Sequence, residues 1–230
     1  MIDLSNTTIV TVNCVRPEEG IAAIKYSCRS IKFGRAVLFT DKDLEPVEGI
    51  EIVKIQRLKS VDEYNDFILR LYRFIHSDYC LIVQDDGFVL NPNLWNPEFL
   101  KYDYIGAPWP DSEAWKNLQV GKKYMTPSWN RVGNGGFSLR SRKFLAASYY
   151  YTSCEGYGED FFLCVIKEKI MKYLHGIKFA PIDLARTFSY ENNIENWPAP
   201  VELDPKSTFG FHGHQLTNSH RLIDLKNQKH

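Results

Sequence analysis

In the first ninety residues, short apolar runs alternate with segments whose apolar residues recur every three or four positions. The run from Thr8 to Val15 is apolar and β-branched, which is typical of a buried strand. In Arg16-Pro17-Glu18-Glu19, an early proline followed by two acids predicts the first turn of a helix. The apolar stripe of that helix consists of Ile21, Ile24, Cys28 and Ile31.

The same two patterns repeat once more. Ala36 to Thr40 predicts a second strand, and Ile50 to Ile55 alternates apolar with charged residues, as a strand with one exposed face does. Ser60 to Glu63 has the spacing of a capping box at a helix start. The apolar face of this second helix is predicted to hold Tyr64, Phe67, Ile68, Leu71, Tyr72 and Ile75.

Tyr79 to Val83 is the most strand-like segment of the chain and completes the order β-α-β-β-α-β. That alternation predicts a largely parallel sheet with helices on its faces. Because such sheets bind ligands beyond the carboxyl ends of their strands, Val15-Arg16 and Asp85-Asp86 are well placed to contact one.

From Asn91 onward the periodicity weakens, and proline, glycine, tryptophan and tyrosine become frequent. Phe161 to Leu174 is the one clear helix predicted in this part. The chain has no internal repeat and no low-complexity linker, so we expect a single domain over residues 1–230, with halves at 1–90 and 91–230.

Composition narrows the function classes. Lys and Arg number 28 and so do Asp and Glu, and this zero formal charge argues against a nucleic-acid partner. The five cysteines include no CxxC pair, and Cys14, Cys80 and Cys164 lie in apolar runs, which favours buried reduced thiols and a reducing compartment. No leader-like start and no membrane-length apolar stretch is found, so the sequence predicts a cytoplasmic location and no transmembrane segment.

The first candidate for chemistry is the acidic turn Gln84-Asp85-Asp86-Gly87, which follows the predicted buried strand. Two adjacent carboxylates repel each other, and a divalent cation relieves that repulsion. Gly87 is expected to let the backbone turn sharply behind them. An ordinary solvated turn explains the same four residues about equally well.

A glycine-rich segment runs from Val132 to Arg140 and has three glycines in four positions. Glycines at Gly133, Gly135 and Gly136 would let a backbone approach a ligand closely. The alternative is a β-hairpin turn, for which Asn134-Gly135 is a strong local signal.

Two further candidates lie later in the chain. Glu159 and Asp160 precede an apolar run, where they would either cap a helix or present a general base at a loop-helix junction. His212 is flanked by glycines and aromatics and could reach a metal, although a histidine in a loop is more often a plain surface residue. His214 and His220 are weaker candidates of the same kind.

Taken in order, the strand, acidic turn, Gly-Gly segment, Glu-Asp pair and late histidine resemble the GT-A-fold nucleotide-sugar glycosyltransferases. Within them the chain is similar to a family of glycosyltransferase-like domains of bacteria, fungi and large viruses. The matching blocks are Tyr64 to Phe67, Leu81 to Asp86, Tyr102 to Trp109, Val132 to Arg140, Glu159 to Phe162, and Phe188 to Glu191. The resemblance implies an α/β, Rossmann-like three-layer sandwich around a mostly parallel mixed sheet. It also makes 1–90 the nucleotide-binding half and 91–230 the acceptor-side half.

The resemblance assigns a metal and nucleotide site. Such enzymes commonly hold Mn²⁺ or Mg²⁺ on the donor diphosphate with an Asp-x-Asp motif, which neither register of the acidic turn completes. Asp86 is the implied direct ligand and His212 completes the metal shell, while Gln84 or Asp85 lies near the ribose. The implied nucleobase and ribose contacts are Val12, Asn13 and Arg16.

The resemblance also assigns the chemistry. In similar inverting galactosyltransferases the Gly pair, here Gly135-Gly136, lies near the donor sugar. Asp160 would be the general base that deprotonates an acceptor hydroxyl, and Glu159 would bind the acceptor, which is a glycan or another hydroxyl compound. Trp109 and Trp129 are candidates for stacking on sugar faces, with core packing as the alternative.

Three alternatives stay open beside an inverting, metal-assisted transferase of polysaccharide biosynthesis. One is a retaining GT-A transferase, and a second is a sugar-nucleotide or glycan-binding module without catalysis, which the incomplete Asp-x-Asp favours. The third is a nucleotidyltransferase, which would need a basic triphosphate-binding loop, whereas Arg16 is the only basic residue near the first strand's end. No motif specifies the nucleobase, and UDP is the default expectation because it is common among such enzymes.

Overall fold

The computed structural model describes residues 1–110, 117, 119–125, 129–191 and 205–213. Its strands are β1 (Ile2–Val12), β2 (Ile31–Thr40), β3 (Glu51–Lys54), β4 (Tyr79–Ile82), β5 (Tyr104–Gly106), β6 (Ser138–Ser141), β7 (Ser189–Tyr190) and β8 (Gly210–Phe211). The α-helices in these ranges are α1 (Pro17–Cys28), α2 (Val61–Ile68), α3 (Gln119–Tyr124), α4 (Arg142–Ser148), α5 (Glu159–Phe161), α6 (Glu168–Tyr173) and α7 (Ile182–Phe188). A π-helix spans Phe162–Ile166, and 3₁₀ turns span Leu71–Arg73, Pro92–Leu94, Pro97–Lys101 and Pro205–Ser207.

The central sheet has six strands in the order β3-β2-β1-β4-β6-β5. The first four pair in parallel, and β6 runs antiparallel to both β4 and β5. A separate two-stranded sheet pairs β7 with β8. The predicted mixed, mostly parallel α/β sheet flanked by helices is confirmed, as is the order β-α-β-β-α-β of its first half.

Neighbouring residues along the central strands pack on opposite faces of the sheet. Ile9 and Leu81 belong to one apolar cluster, whereas Val10 and Ile82 belong to another. A strand that buries both of its faces needs a continuous apolar run, which is the pattern of β1 and β4. Helices and loops therefore cover both faces, and the carboxyl edge of the sheet is left to form a site.

The helix predicted from Ser60 is shorter than its apolar pattern. Ser60 does cap α2, since its side chain accepts a hydrogen bond from the Glu63 amide. The α-helix ends at Ile68, and a 3₁₀ turn then carries Leu71 into the core. Of the predicted apolar face, Ile68, Leu71 and Ile75 are buried, and the three aromatic residues are partly buried against the same cluster. The pattern therefore indicated the side of the segment that faces the core but not where the helix ends.

The second half contains helices that the sequence pattern did not reveal, among them α4 and α7. The single helix predicted from Phe161 to Leu174 is instead the succession of α5, the π-helix and α6. A π turn widens the helix and shifts its phase, so one 3.6-residue period cannot describe the segment. The amide of Lys167 bonds to the carbonyl of Phe162, five residues back, as that geometry requires.

All five cysteines are free thiols, and Cys14, Cys80 and Cys164 are buried as predicted. Within the described ranges, none of the helices combines the length and the apolar character needed to cross a bilayer.

Candidate active site

A cleft of about 560 Å³ opens beyond the carboxyl ends of β1 and β4. Its walls are formed by residues 11–16, residues 58–61, Tyr64, Gln84 and Asp85. The structure thus brings five of the predicted contacts together in one cavity: Val12, Asn13, Arg16, Gln84 and Asp85. Parallel topology explains this convergence, because β1 and β4 are neighbours whose ends meet at one edge.

The loop after β1 is held in place by Asn13. Its side-chain oxygen accepts hydrogen bonds from the amides of Val15 (3.0 Å) and Arg16 (2.7 Å). This turn directs the Arg16 guanidinium across the cleft to Asp85, whose carboxylate lies 2.7 Å away. Beside them, the buried Thr11 hydroxyl has no hydrogen-bond partner within the described residues.

The acidic turn is closed by two backbone bonds between Gln84 and Gly87, of 2.7 and 3.1 Å. Asp85 faces Arg16, whereas Asp86 is largely buried and faces His212. The two carboxylates therefore serve different partners.

The backbone turns sharply at Gly87, as expected, but the turn does not use the left-handed conformation that favours glycine, because the φ of Gly87 is not positive. A Cβ at this position would lie 3.0 Å from the His212 ring and 3.1 Å from the Phe211 carbonyl. The missing side chain at Gly87 lets the segment carrying His212 pack closely against the turn.

His212 is brought to the acidic turn by the small β7–β8 sheet. Its amide bonds to the Tyr190 carbonyl, and the following amide, of Gly213, bonds to the Asp86 carbonyl. The imidazole Nε2 lies 3.6 Å from an Asp86 carboxylate oxygen, and Nδ1 lies 3.1 Å from Glu191 Oε1. Burial opposes the charged imidazolium, but the hydrogen bond to Glu191 and the carboxylate charge of Asp86 outweigh it and raise the pKa of His212.

Asp86 and His212 are suitable metal ligands, but two side chains do not complete the coordination shell of a metal. A carboxylate and an imidazole facing each other suit Mn²⁺ or Mg²⁺, and a carboxylate such as Glu191 on the second ring nitrogen is the usual orienting partner of a metal-binding histidine. The described residues contain no group of three or more His, Cys, Asp or Glu side chains able to hold a metal. The pair therefore fits an ion that takes its remaining ligands from substrate phosphates.

Gly135 and Gly136 make room for protein side chains. A Cβ on Gly136 would lie 2.1 Å from His212 Nε2, and a Cβ on Gly135 would lie 2.6 Å from Glu159 Oε1. The sequence pattern predicted that this backbone approaches a ligand. In the structure the space that a Cβ would take is occupied by His212 and Glu159.

Replacing Gly136 with Ala is expected to displace the imidazole and to destabilise the fold by about 1–3 kcal/mol, as overpacking commonly does. Urea denaturation of G136A measures this cost. In an H212A background the added methyl group has room, so G136A should then cost much less. An equal cost in both backgrounds would contradict the proposed clash.

Asp160 lies directly against the glycine-rich segment. Its two carboxylate oxygens accept hydrogen bonds from the amides of Gly135 (2.9 Å) and Phe161 (2.7 Å). The N-cap residue of α5 is Gly158, and among the described residues no side chain makes a capping hydrogen bond to this helix; both acids lie in its first turn instead. Burial, followed by the nearby charge of Glu159, raises the pKa of Asp160 to about 6.

Glu159 does not have the exposure expected of an acceptor-binding residue. It is buried, and its two carboxylate oxygens accept hydrogen bonds from Arg140 at 2.7 and 3.0 Å. The Arg140 guanidinium also donates to Ser138 Oγ (3.0 Å) and lies 5.2 Å from the centre of the Tyr104 ring. Glu159 is therefore positioned to neutralise a buried arginine and to orient the Asp160 segment, not to contact an acceptor.

Trp109 and Trp129 are core residues. Both are largely buried, and their rings stack on each other with centroids 6.0 Å apart. Sugar stacking, considered from the sequence, does not fit this placement. His214 and His220 lie outside the described residues.

Sequence reasoning gave no role in the site to Tyr64, Arg140 or Glu191. Arg140 interrupts an otherwise small or apolar β6, which is the one local signal that it has a buried partner. Tyr64 and Glu191 lie in blocks that carry the family resemblance, but nothing in their spacing indicates that they contact Gln84 and His212.

Residues 49–212 match the model of a protein family described as "Protein of unknown function (DUF5672)". The chain belongs to this family. The matched span contains the acidic turn, the Gly pair, Asp160 and His212, whereas β1 and the loop carrying Arg16 precede it. A search of curated protein sequences gave no significant match.

Among solved structures the chain is similar to the galactosyltransferase LgtC in complex with donor and acceptor sugar analogs. The identity is 13%, the TM-score is 0.58, and the likeness covers 96% of this chain and 95% of the other. An active-site mutant of LgtC gives 14% identity, a TM-score of 0.57 and the same coverage. At this identity the likeness establishes the GT-A fold that the sequence resemblance implied.

Proposed function

We propose that this protein is a glycosyltransferase that moves a sugar from a nucleoside-diphosphate donor to a hydroxyl acceptor. The observation that carries the proposal is the arrangement at the carboxyl edge of the sheet. There the cleft, the Asp86–His212 pair and Asp160 adjoin one another through Gln84, Gly135 and Gly136. The fold likeness to a galactosyltransferase supports the same reaction class.

In the proposed reaction the nucleoside occupies the cleft and the transferred sugar lies toward Asp160. The Asp160 carboxylate takes the proton of an acceptor hydroxyl, whose oxygen attacks the anomeric carbon. The bond from that carbon to the diphosphate oxygen breaks, and the nucleoside diphosphate leaves with the bonding electron pair. A single displacement of this kind inverts the anomeric configuration. Asp160 suits the task because its raised pKa lies close to neutrality while leaving it mostly ionised at pH 7.

A divalent cation at Asp86 and His212 would offset the negative charge that develops on the leaving diphosphate. The chain's own contribution is to hold the imidazole facing Asp86, through the Glu191 contact at Nδ1 and the space left by Gly136.

A panel of UDP-, GDP-, dTDP- and CMP-sugars, each with and without Mn²⁺, tests the binding step by thermal shift. A ligand at about 100 times its Kd stabilises the folded state by about 2.7 kcal/mol. For a chain of this size that raises Tm by roughly 5–10 °C. We expect such a rise for one nucleotide class, larger with Mn²⁺, and no rise for any member of the panel would contradict the proposal.

A second candidate is a sugar-nucleotide-binding module without catalysis. It is favoured by the fact that the described part of the chain contains no group of three or more His, Cys, Asp or Glu side chains able to hold a metal. Donor hydrolysis and transfer assays with the nucleotide sugar that binds distinguish the two, because a binding module shifts Tm without turnover. NMR of the new linkage then distinguishes inversion from retention.

A further inference from the structure

Tyr64, on α2, lines the cleft beside Gln84. Its phenol oxygen accepts a hydrogen bond from the Gln84 side-chain amide at 2.7 Å. In the part of the chain that the structure describes, this is the hydrogen bond that the hydroxyl makes. The phenol proton itself therefore remains available to a ligand in the cleft.

The chemistry of the Gln84 side chain fixes the direction of this bond. Its amide nitrogen faces Tyr64 and can only donate, whereas its amide oxygen, which can only accept, lies 3.1 Å from His212 Nε2. The Tyr64 oxygen therefore accepts from Gln84, and the phenol keeps its own proton as a hydrogen-bond donor.

Tyr64 remains a neutral hydroxyl over the working pH range. Burial, and after it the charge of Glu159, raises the pKa of Tyr64 above its ordinary value, and Asp160 adds to the effect. Tyr64 itself lines the nucleoside cleft, and its helix α2 packs against α5, which carries the proposed base.

The residues after Tyr64 fix α2 to the segment that carries the acids. Asn65 Nδ2 donates to the Tyr157 carbonyl (3.2 Å), and Asp66 accepts from the Cys154 amide (3.0 Å). These bonds hold the Tyr64 ring in a constant position relative to Asp160. A contact made by the phenol is thus pre-organised with the reacting end of the site.

We propose that Tyr64 is a further substrate-contacting residue whose hydroxyl donates a hydrogen bond to the diphosphate of the nucleotide-sugar donor. The assignment rests on the proposed function. The diphosphate is the part of the donor that joins a nucleoside in the cleft to a sugar near Asp160, and its anionic oxygens are strong acceptors for a neutral donor. The contact would strengthen as charge builds on the leaving group.

Calorimetric titration of Y64F with UDP and with uridine tests the contact, with GDP and guanosine and dTDP and thymidine measured in parallel. A hydrogen bond to a charged group accounts for about a tenfold change in binding. We expect the diphosphate to bind roughly tenfold more weakly to Y64F, and the nucleoside to bind as to the wild type. Y72F is the matched control, since Tyr72 lies outside the cleft against Tyr149, and it should change neither affinity.

Three outcomes would overturn the assignment. If Y64F and the wild type bind the diphosphate equally well, Tyr64 does not contact it. If Y64F loses the same affinity for the diphosphate and for the nucleoside, Tyr64 has a purely structural role. In a Q84A background Y64F should still weaken diphosphate binding, and the absence of a further loss would mean that Tyr64 acts only by holding Gln84. If the wild type binds no nucleotide, the proposed function itself fails, which the wild-type titration alone reveals.

Discussion

The D160N variant is expected to lose transfer activity by about 10²–10⁴-fold in kcat, the usual contribution of a general base. Asparagine keeps the size of the side chain and one oxygen to accept from Gly135 or Phe161, but it cannot take a proton from the acceptor. Steady-state kinetics with the nucleotide sugar identified in the binding panel measures the loss. Donor affinity should change little, because Asp160 does not line the nucleoside cleft.

The matched control is D183N, which makes the same chemical change at an exposed aspartate on α7. It should retain wild-type kcat. Circular dichroism and Tm establish that both variants are folded. A folded D160N that transfers sugar at the wild-type rate would remove Asp160 as the base, although the binding proposal would stand.

The pH profile gives an independent measure of the same residue. Because the base must be ionised and its pKa is raised to about 6, kcat/KM should rise with pH through about 6 and level off above it.

The contribution of the same carboxyl to the free energy of unfolding should change with pH in the opposite direction. A carboxyl whose folded-state pKa exceeds the unfolded value of 3.8 contributes stability below that value and loses it as pH rises through about 6. Both dependences should be absent in D160N.

The first half of the fold was predictable because its elements are regular. Buried parallel strands need unbroken apolar runs and surface helices need a 3.6-residue period, and both patterns are local. The second half was less predictable for physical reasons. A π-helix changes the period within one segment, and α4 begins directly at the end of β6, where Ser141 serves both as the last strand residue and as the helix cap.

For the site, the sequence identified the positions better than their roles. Strand ends and topology placed Arg16 and Asp85 at one edge of the sheet, and in the structure both line one cleft. The function of a glycine depends on what packs against it, and that contact is non-local. At Gly136 the neighbour is His212, which lies 76 residues further along the chain, so no local sequence pattern could predict the contact.

Breaking the buried Arg140–Glu159 pair is expected to have the largest effect on stability. Removing one partner leaves an uncompensated buried charge, which typically costs about 3–5 kcal/mol. R140M should therefore lower the free energy of unfolding by about that amount, measured by urea denaturation. R142M is the matched control two residues on. Arg142 is only partly buried, stacks on Tyr72 and, among the described residues, pairs with no buried carboxylate, so its loss should cost distinctly less.

The double variant R140M/E159L distinguishes the charge from the packing. Replacing both members of a buried ion pair by apolar residues is often close to neutral, so the double variant should recover much of the stability that R140M loses. If R140M proved as stable as R142M, the loss of Arg140 would not leave a costly unpaired charge on Glu159, which would contradict the prediction. Activity need not recover in the double variant. The charge of Glu159 raises the pKa of Asp160 more than the charge of Arg140 lowers it, so removing both charges lowers this pKa. Restored stability with a pH–rate profile shifted to lower pH would assign Glu159 to tuning the base.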